Sequence, residues 1–317
     1  MRLPPYGKMS EEYQAILTRP PMSDWMPEAD PQERIRSFDT WLTQIGDIFA
    51  DVIWPRWDPS TGTWIGAAAA WAEEATRAEI EIMIERLQGS SPIINQKASS
   101  PAMVAPAKPH LDHYRIEDDL KIQLGVNYLD YDSALTPERY GAALFTMSEA
   151  YTTKISGLFR LKSQFLRPRP YQSSMILGHQ NFQSRTCRSG VHPAFTSGHC
   201  VEGILFSCAI LERWLDENDM PNETSIGSLA QYAVDFGDRR VFAGVHYPSD
   251  NLASWIIALD LIPRIFRNPE RIYTFARDAI IDRSRIFGVI QETFPSNSEL
   301  SKSLDLLNKL AKFEIKV

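Results

Sequence analysis

The chain has 317 residues, 44% of them hydrophobic, which is enough to fill the core of one large domain or two small ones. Its 40 Asp and Glu residues outnumber 33 Lys and Arg residues, and the formal net charge of -7 argues against nucleic acid as a partner. The 3 cysteines form no C-x-x-C pair, which argues against a disulfide framework or a structural zinc site and favours a reducing compartment.

The first residues, MRLPPYGKMSEEYQ, contain no apolar stretch typical of a secretory signal. The most apolar windows of the chain are short or interrupted by a charged residue, whereas a membrane span needs about 20 apolar residues. The sequence therefore predicts a cytoplasmic protein without a membrane span.

Most of the chain shows the apolar spacings of three and four that are typical of amphipathic helices. Residues 1–30 are rich in proline and predict an irregular arm, and residues 89–109 are rich in Ser, Pro and Ala and predict a linker or long loop. No alternating run is long enough to indicate a strand. The predicted helices are Pro31–Ile53, Trp64–Leu87, Pro137–Leu166, Ser197–Asp216, Ser228–Ala243, Pro248–Phe266, Pro269–Phe287 and Ser298–Phe313.

This pattern predicts an all-α fold in two parts. Residues 1–125 are expected to form an N-terminal arm with accessory helices that pack on the core, and residues 126–317 a helical core domain. The apolar faces of the N-terminal helices need a partner, which is either this core or a second copy in a homo-oligomer.

A first group of polar residues stands at the end of a long predicted helix, in the run Lys162-Ser-Gln-Phe-Leu-Arg-Pro-Arg169-Pro170. Seven residues make about two helical turns, so the Lys162 and Arg169 side chains are expected to share one helix face and converge. The prolines should end the helix and hold the Arg169 guanidinium as a rigid fork for an oxyanion. Arg167 is expected to face solvent.

Two further runs carry groups suited to an anion. Ser197-Gly198-His199 directly precedes an apolar helix, and free backbone amides at a helix N-terminus attract anions. In the third run, His246 and Asp250 stand four residues apart across a helix start, so the carboxylate can hold one ring nitrogen and leave the other free to attack.

Together the three runs read Lys-x6-Arg-Pro, Ser-Gly-His and Arg-x5-His-x3-Asp, from Lys162 to Asp250. This order and spacing resemble the type 2 phosphatidic acid phosphatase and vanadium haloperoxidase superfamily, whose members are helical bundles. The resemblance implies a phosphate or vanadate site whose oxyanion-binding residues are Lys162, Arg169, Ser197, Gly198 and Arg240. It makes His246 the nucleophile or vanadium ligand, His199 the general acid and base, and Asp250 the residue that orients His246.

The sequence departs from the family pattern at two positions. Thr196 stands where the family usually has Pro before the serine, and Arg239 stands where it usually has Ser before the arginine. Thr196 is still expected to cap the following helix. Arg239 lacks a hydroxyl that often touches the oxyanion, which affects affinity and selectivity more than the class of reaction.

The expected function is a metal-independent phosphatase that acts on a small phosphorylated molecule through a phosphohistidine on His246. The alternative is a haloperoxidase with vanadate as its cofactor, because the run from His192 to His199 is similar to that of algal bromoperoxidases. A third hypothesis is a noncatalytic phosphate-binding or assembly protein. No cofactor is expected for the phosphatase.

Several other residues have weaker claims to a role. His192 has two readings, a loop residue near the pocket mouth or part of a peroxidase site, and Arg185 and Arg188 are either solvated or shape substrate choice. His110 and His113 have helical spacing but no further ligand cluster beside them, so a structural or surface role is favoured over a metal site.

Overall fold

The computed structural model describes residues 30–88, 158–182, 184, 192–217 and 223–293, and four single positions between 302 and 309. Within these ranges the chain is mostly helical, which confirms the all-α fold class. The helices are α1 Pro31–Val52, α2 Ala72–Ile82, α3 at 158–165, α4 Pro170–Ile176, α5 Gly198–Asp216, α6 Glu223–Phe242, α7 Pro248–Ile265, α8 Pro269–Arg283 and α9 Arg285–Thr293. None of these described helices is both long and apolar enough to cross a membrane.

Helices α5 and α7 form the centre of the bundle. Every residue of α5 from Cys200 to Leu211 is buried, and so is every residue of α7 from Pro248 to Ile262. Helices that are apolar on all sides are stable only when other elements surround them. Accordingly α5 and α7 pack against each other, and α6 and α8 pack against both.

A glycine sets the distance between α5 and α6. A Cβ atom added at Gly203 would lie 2.6 Å from the Ala233 carbonyl oxygen and 2.8 Å from Phe236 Cβ. Any larger residue would push the two helices apart. This close packing matters because α5 begins at the Ser-Gly-His run and α6 ends at the two arginines of the third run.

The described part of the N-terminal region packs directly on this bundle. Trp41 Nε1 donates to Asp260 Oδ2 of α7 at 2.5 Å, and Trp54 Nε1 donates to the Phe165 carbonyl oxygen at 3.1 Å. The two helices α2 and α4 are also in contact. The predicted division near residue 125 lies outside the described residues and stays a prediction.

The prediction that the chain has no strands is wrong for one short hairpin. Strands β1 (Arg56–Asp58) and β2 (Thr63–Ile65) pair antiparallel, with Trp57 opposite Trp64. The Asp58 carboxylate accepts hydrogen bonds from Ser60 and Thr61, and Gly62 has a φ of +66°. Local turn chemistry therefore outweighs the helical spacing. The helix predicted from Trp64 begins only at Ala72 and ends in a π-helical turn, Met83–Gln88.

A second correction concerns the helix predicted over Pro269–Phe287, which is interrupted at Ser284. The buried Asp238 carboxylate accepts hydrogen bonds from Ser284 Oγ at 2.8 Å and from the Arg285 amide at 2.8 Å. This long-range acceptor satisfies the first amides of α9 and so allows a new helix to start. The helix predicted from Ser228 begins five residues earlier, at Glu223.

Some predictions fall outside the part of the chain that the structure describes. These are the arm before residue 30, the linker at 89–109, the helix Pro137–Leu166 before residue 158, and most of the helix Ser298–Phe313.

Candidate active site

The first run bends sharply between two helices. Helix α3 ends at residue 165, as the prolines predict, and Leu166 adopts a φ of 44°. Pro170, however, starts a helix, because it occupies the first turn of α4, where an amide proton is not needed. Lys162 and Arg169 therefore lie on different elements, and the prediction that they share one helix face is wrong.

Arg169 links three parts of the chain through its guanidinium group. Its Nε donates to the His192 carbonyl oxygen at 2.6 Å, and its Nη1 donates to the Val245 carbonyl oxygen at 2.7 Å. The same Nη1 lies 2.8 Å from His246 Nε2. Because Arg169 is only 1% exposed, its charge acts on His246 with little screening by water.

The His246 ring is held from both sides at the start of α7. Its Nδ1 lies 3.2 Å from Asp250 Oδ2, which also accepts a hydrogen bond from the Tyr247 amide at 3.0 Å. A carboxylate at Nδ1 favours the tautomer with the proton on that nitrogen, so the lone pair lies on Nε2. In this tautomer Nε2 is the acceptor that faces Arg169 Nη1.

Positive charge surrounds this imidazole. Burial lowers the pKa of His246 well below its usual value, and the charges of Arg169 and Lys162 lower it further. Arg240 and His199 act in the same direction. The ring is therefore neutral near pH 7, and the cations predicted from the three runs lie close enough to affect it.

Lys162 contacts the loop that precedes α5. Its Nζ donates to the carbonyl oxygens of Pro193, Ala194 and Thr196, at 2.7, 3.2 and 2.5 Å. An ammonium group has three protons, so this loop uses all of them. Burial lowers the pKa of Lys162 well below its usual value, and neighbouring Arg169 adds to the effect. Direct contact with an oxyanion requires one of these carbonyl bonds to be exchanged.

The second run lies at the first turn of α5. Ser197 is the N-cap residue, and its side chain makes no capping hydrogen bond. Its buried Oγ has no hydrogen-bond partner among the described residues, while its amide donates to Ser254 Oγ at 2.9 Å. Gly198 follows as the first helical residue and His199 as the second. The expectation that Thr196 caps this helix is wrong, because the buried Thr196 hydroxyl has no partner within the described ranges.

The two arginines of the third run are both 1% exposed at the end of α6. The Arg240 carbonyl oxygen accepts from the amides of Val245 and His246, which fixes the turn that carries the histidine. The unusual Arg239 forms an ion pair with Asp235 one helical turn earlier, at 3.5 Å.

A buried ionic cluster lies behind the histidine. Arg167 Nη1 donates to Asp250 Oδ1 at 2.8 Å, and Arg167 Nη2 donates to Glu79 Oε1 at 2.9 Å. Arg167 is 1% exposed, so the expectation that it faces solvent is wrong. Glu79 and Ser249 are not among the site residues predicted from the sequence. A signal for Glu79 was present, because it shares the helical spacing of the buried residues Thr76 and Ile80.

His192 is buried close to the cations. The residue is 7% exposed, and its ring meets Phe159 edge-on at 5.4 Å between centroids. Burial lowers the pKa of His192 to about 3, and the charges of Lys162 and Arg169 contribute. His192 lies in a loop, and its burial shows that the side chain is not fully exposed to solvent there.

The neutral His192 predicts a pH dependence of stability. An unfolded histidine has a pKa of about 6.5. Below that pH, residue 192 is therefore protonated in the unfolded chain but stays neutral in the folded chain. We therefore expect the free energy of unfolding to fall as the pH is lowered from about 6.5 towards 3. Urea denaturation between pH 8 and 5 measures the slope. Above pH 7, the unfolding free energy of His192→Asn should have the same slope against pH as that of the wild type. Below pH 7, its slope should be smaller, and the difference should correspond to at most one bound proton. Equal slopes throughout would contradict this prediction.

Four of the candidate residues of the sequence analysis lie outside the described residues. These are Arg185, Arg188, His110 and His113, so their roles stay predictions.

The same region of the chain matches a known family model. Residues 141–272 match the PAP2 superfamily model, and this range includes all three runs. Comparisons with curated proteins and with solved structures gave no match. The matched range also contains α5, α6 and α7, and the second and third runs lie at the ends of these helices. The family model therefore supports a relationship between residues 141–272 of this chain and the PAP2 superfamily.

Proposed function

We propose that the chain hydrolyses a phosphomonoester of a small molecule through a phosphohistidine on His246, with His199 as general acid and base. PAP2 superfamily members are typically phosphoesterases, which supports a hydrolase at the coarse level. The proposal of a phosphohistidine mechanism rests on the orientation of the His246 ring, whose Nδ1 is held by Asp250 and whose Nε2 faces Arg169. A neutral imidazole with a fixed, unprotonated Nε2 is a nucleophile.

The surroundings of this nitrogen suit a dianion. Lys162, Arg169 and Arg240 add three positive charges close to His246, and burial strengthens their effect. The first-turn amides of α5 and the Ser197 hydroxyl are uncharged donors that can bind further phosphoryl oxygens. When a phosphoryl group binds, the Arg169 Nη1 proton is redirected from His246 Nε2 to a phosphoryl oxygen, which frees the lone pair for attack.

The first chemical step transfers the phosphoryl group to the protein. His246 Nε2 forms a bond to phosphorus while the bond between phosphorus and the ester oxygen breaks. The leaving oxygen takes a proton from the His199 imidazolium and departs as an alcohol. Asp250 stabilises the positive charge that develops on the His246 ring, because its carboxylate faces Nδ1.

The second step releases phosphate. Neutral His199 takes a proton from water, whose oxygen attacks phosphorus and breaks the bond to His246 Nε2. His199 is the second residue of α5, is partly exposed and is near enough to His246 to affect its pKa. The three cations and the α5 amides offset the charge on the equatorial oxygens. A divalent metal is not part of this proposal.

A haloperoxidase is the second candidate, and the position of His192 favours it. This histidine stands seven residues before His199, the spacing of the bromoperoxidase-like run, and is buried close to Lys162 and Arg169. The donor set also fits vanadate, since Lys162, Arg169, Ser197, Gly198 and Arg240 would hold its oxygens and His246 Nε2 would ligate the vanadium. Bound vanadate would activate hydrogen peroxide for halide oxidation.

A paired assay on the purified full-length protein separates the candidates. One arm measures phosphate release from p-nitrophenyl phosphate, and the other measures bromination of a dye with vanadate, hydrogen peroxide and bromide. We expect phosphate release without bromination. Bromination alone would reject the phosphatase, and the lack of both activities in protein that binds vanadate would favour a noncatalytic phosphate-binding protein.

A further inference from the structure

The accessory helix α2 carries a carboxylate that is buried against the proposed active site. Glu79 is 1% exposed and lies on the same face of α2 as the buried residues Ala72, Thr76 and Ile80. A charged side chain is rarely buried to this extent without partners, because the loss of hydration is costly. Burial raises the pKa of Glu79, while the charge of Arg167 and the hydrogen bonds from Ser249 oppose that rise.

Three donors point at this carboxylate. Glu79 Oε1 accepts from Arg167 Nη2 at 2.9 Å and from Ser249 Oγ at 2.7 Å. Glu79 Oε2 accepts from the Ser249 amide at 2.9 Å. Only an acceptor with two equivalent oxygens satisfies this arrangement. Glu79 therefore fixes both an arginine of the first run and the first turn of α7.

Arg167 connects Glu79 to Asp250, the residue that orients His246. Arg167 Nη1 donates to Asp250 Oδ1 at 2.8 Å, and the other oxygen of that carboxylate lies 3.2 Å from His246 Nδ1. The Arg167 guanidinium also stacks on Tyr247, with its central carbon 3.8 Å from the ring centroid. Each contact removes a rotation, so the Asp250 carboxylate has one orientation.

We infer that Glu79 is a positioning residue for His246 and acts on it through Arg167. The inference rests on the proposed function, because it assigns Glu79 to the same catalytic histidine. It also places part of the catalytic apparatus outside the matched range of 141–272. Residues 30–88 then contribute to catalysis as well as to packing.

The substitution Glu79→Gln tests this role with little change in shape. A glutamine has one oxygen and one amide group, so it accepts from only one side. Its amide protons then face either the Ser249 amide or the Arg167 guanidinium, and both of those groups are donors. Arg167 is left with Asp250 as its only anionic partner among the contacts described here, and the carboxylate that holds His246 is expected to turn.

The kinetic test compares Glu79→Gln with Glu81→Gln. Glu81 lies on the same helix and is exposed, so it is a matched control for the loss of one carboxylate from α2. We expect kcat for p-nitrophenyl phosphate to fall by about 10- to 100-fold in Glu79→Gln, with KM within about threefold of the wild type. Glu81→Gln should keep both constants.

A second measurement does not depend on turnover. In proton NMR spectra of the full-length protein, the His246 Nδ1 proton bound to Asp250 should give a far-downfield resonance, identified by its loss in His246→Ala. We expect this resonance to shift or broaden in Glu79→Gln and to stay in place in Glu81→Gln. If Glu79→Gln does not fold, Ser249→Ala tests the same path, because it removes one donor to Glu79 and one acceptor of Arg167. A smaller shift is expected.

The outcomes separate the inference from the proposed function. A wild-type resonance in Glu79→Gln, or in Ser249→Ala where the first variant does not fold, overturns the positioning role even if the protein is a phosphatase. A shifted resonance supports that role even if p-nitrophenyl phosphate is not hydrolysed. If the wild-type protein has no phosphatase activity, the proposed function is rejected, and the positioning role is still decided by the resonance.

Discussion

Replacement of His246 with alanine should lower kcat for phosphate release by about 10⁴-fold or more. The variant has no nitrogen at the attacking position, while Lys162, Arg169 and Arg240 still offer their charges to a phosphate. We therefore expect phosphate to remain a competitive inhibitor of the residual activity. Steady-state kinetics with p-nitrophenyl phosphate, and inhibition by inorganic phosphate, measure the two effects separately.

This combination distinguishes the loss of a nucleophile from the collapse of the site. His246 is 2% exposed, so the alanine variant leaves a small cavity, and its melting curve should be recorded beside the kinetics. A folded variant that retains more than about a tenth of the wild-type kcat would reject His246 as the nucleophile.

The variant His199→Ala should lower kcat by about 10²- to 10⁴-fold, and the loss should depend on the leaving group. A nitrophenolate leaves without a proton, whereas an alkoxide needs one from His199. We therefore expect a larger loss for an alkyl phosphate than for p-nitrophenyl phosphate. With the nitrophenyl ester, the variant should release one equivalent of nitrophenol rapidly and then turn over slowly, because water is no longer activated.

The two esters serve as each other's control, since both meet the same cations. Stopped-flow absorbance resolves the burst, and phosphate release follows the later steps. An equal loss for both esters, without a burst, would show that His199 does not transfer protons in this reaction.

The candidate site was predictable from the sequence because its residues stand in short runs with fixed spacing. The pair of His246 and Asp250 spans the start of α7, and an interval of four residues across a helix start brings the side chains together. The Ser-Gly-His run likewise starts an apolar helix, and the structure places it at the first turn of α5. In both cases the local chain geometry determines the contact.

The parts that were not predicted depend on contacts between distant segments. Arg167 stands beside Arg169 in the sequence, and its burial follows from Glu79, which lies 88 residues away. The break at Ser284 depends in the same way on Asp238. Patterns of polarity along the chain cannot show which distant carboxylate meets an arginine or caps a helix.

Short-range chemistry accounts for the remaining differences. The β1–β2 hairpin has strands of only three residues, so alternation is too brief to distinguish from helical spacing. The residues of its turn, Asp58–Gly62, include the helix breakers Pro59 and Gly62. The pairing of Trp57 with Trp64 across the two strands could not be recognised from the sequence. This pair stabilises the hairpin and so favours a strand over a helix at β2.

The central claim is covalent transfer of a phosphoryl group to His246 Nε2. Rapid mixing with ³²P-labelled substrate, followed by an alkaline quench, should trap label in the wild-type protein. The bond should be stable in alkali and labile in acid, and peptide mapping should place it on His246. The His246→Ala variant should carry no label. Label on the buried Ser197 hydroxyl, or trapped label in His246→Ala, would contradict this account.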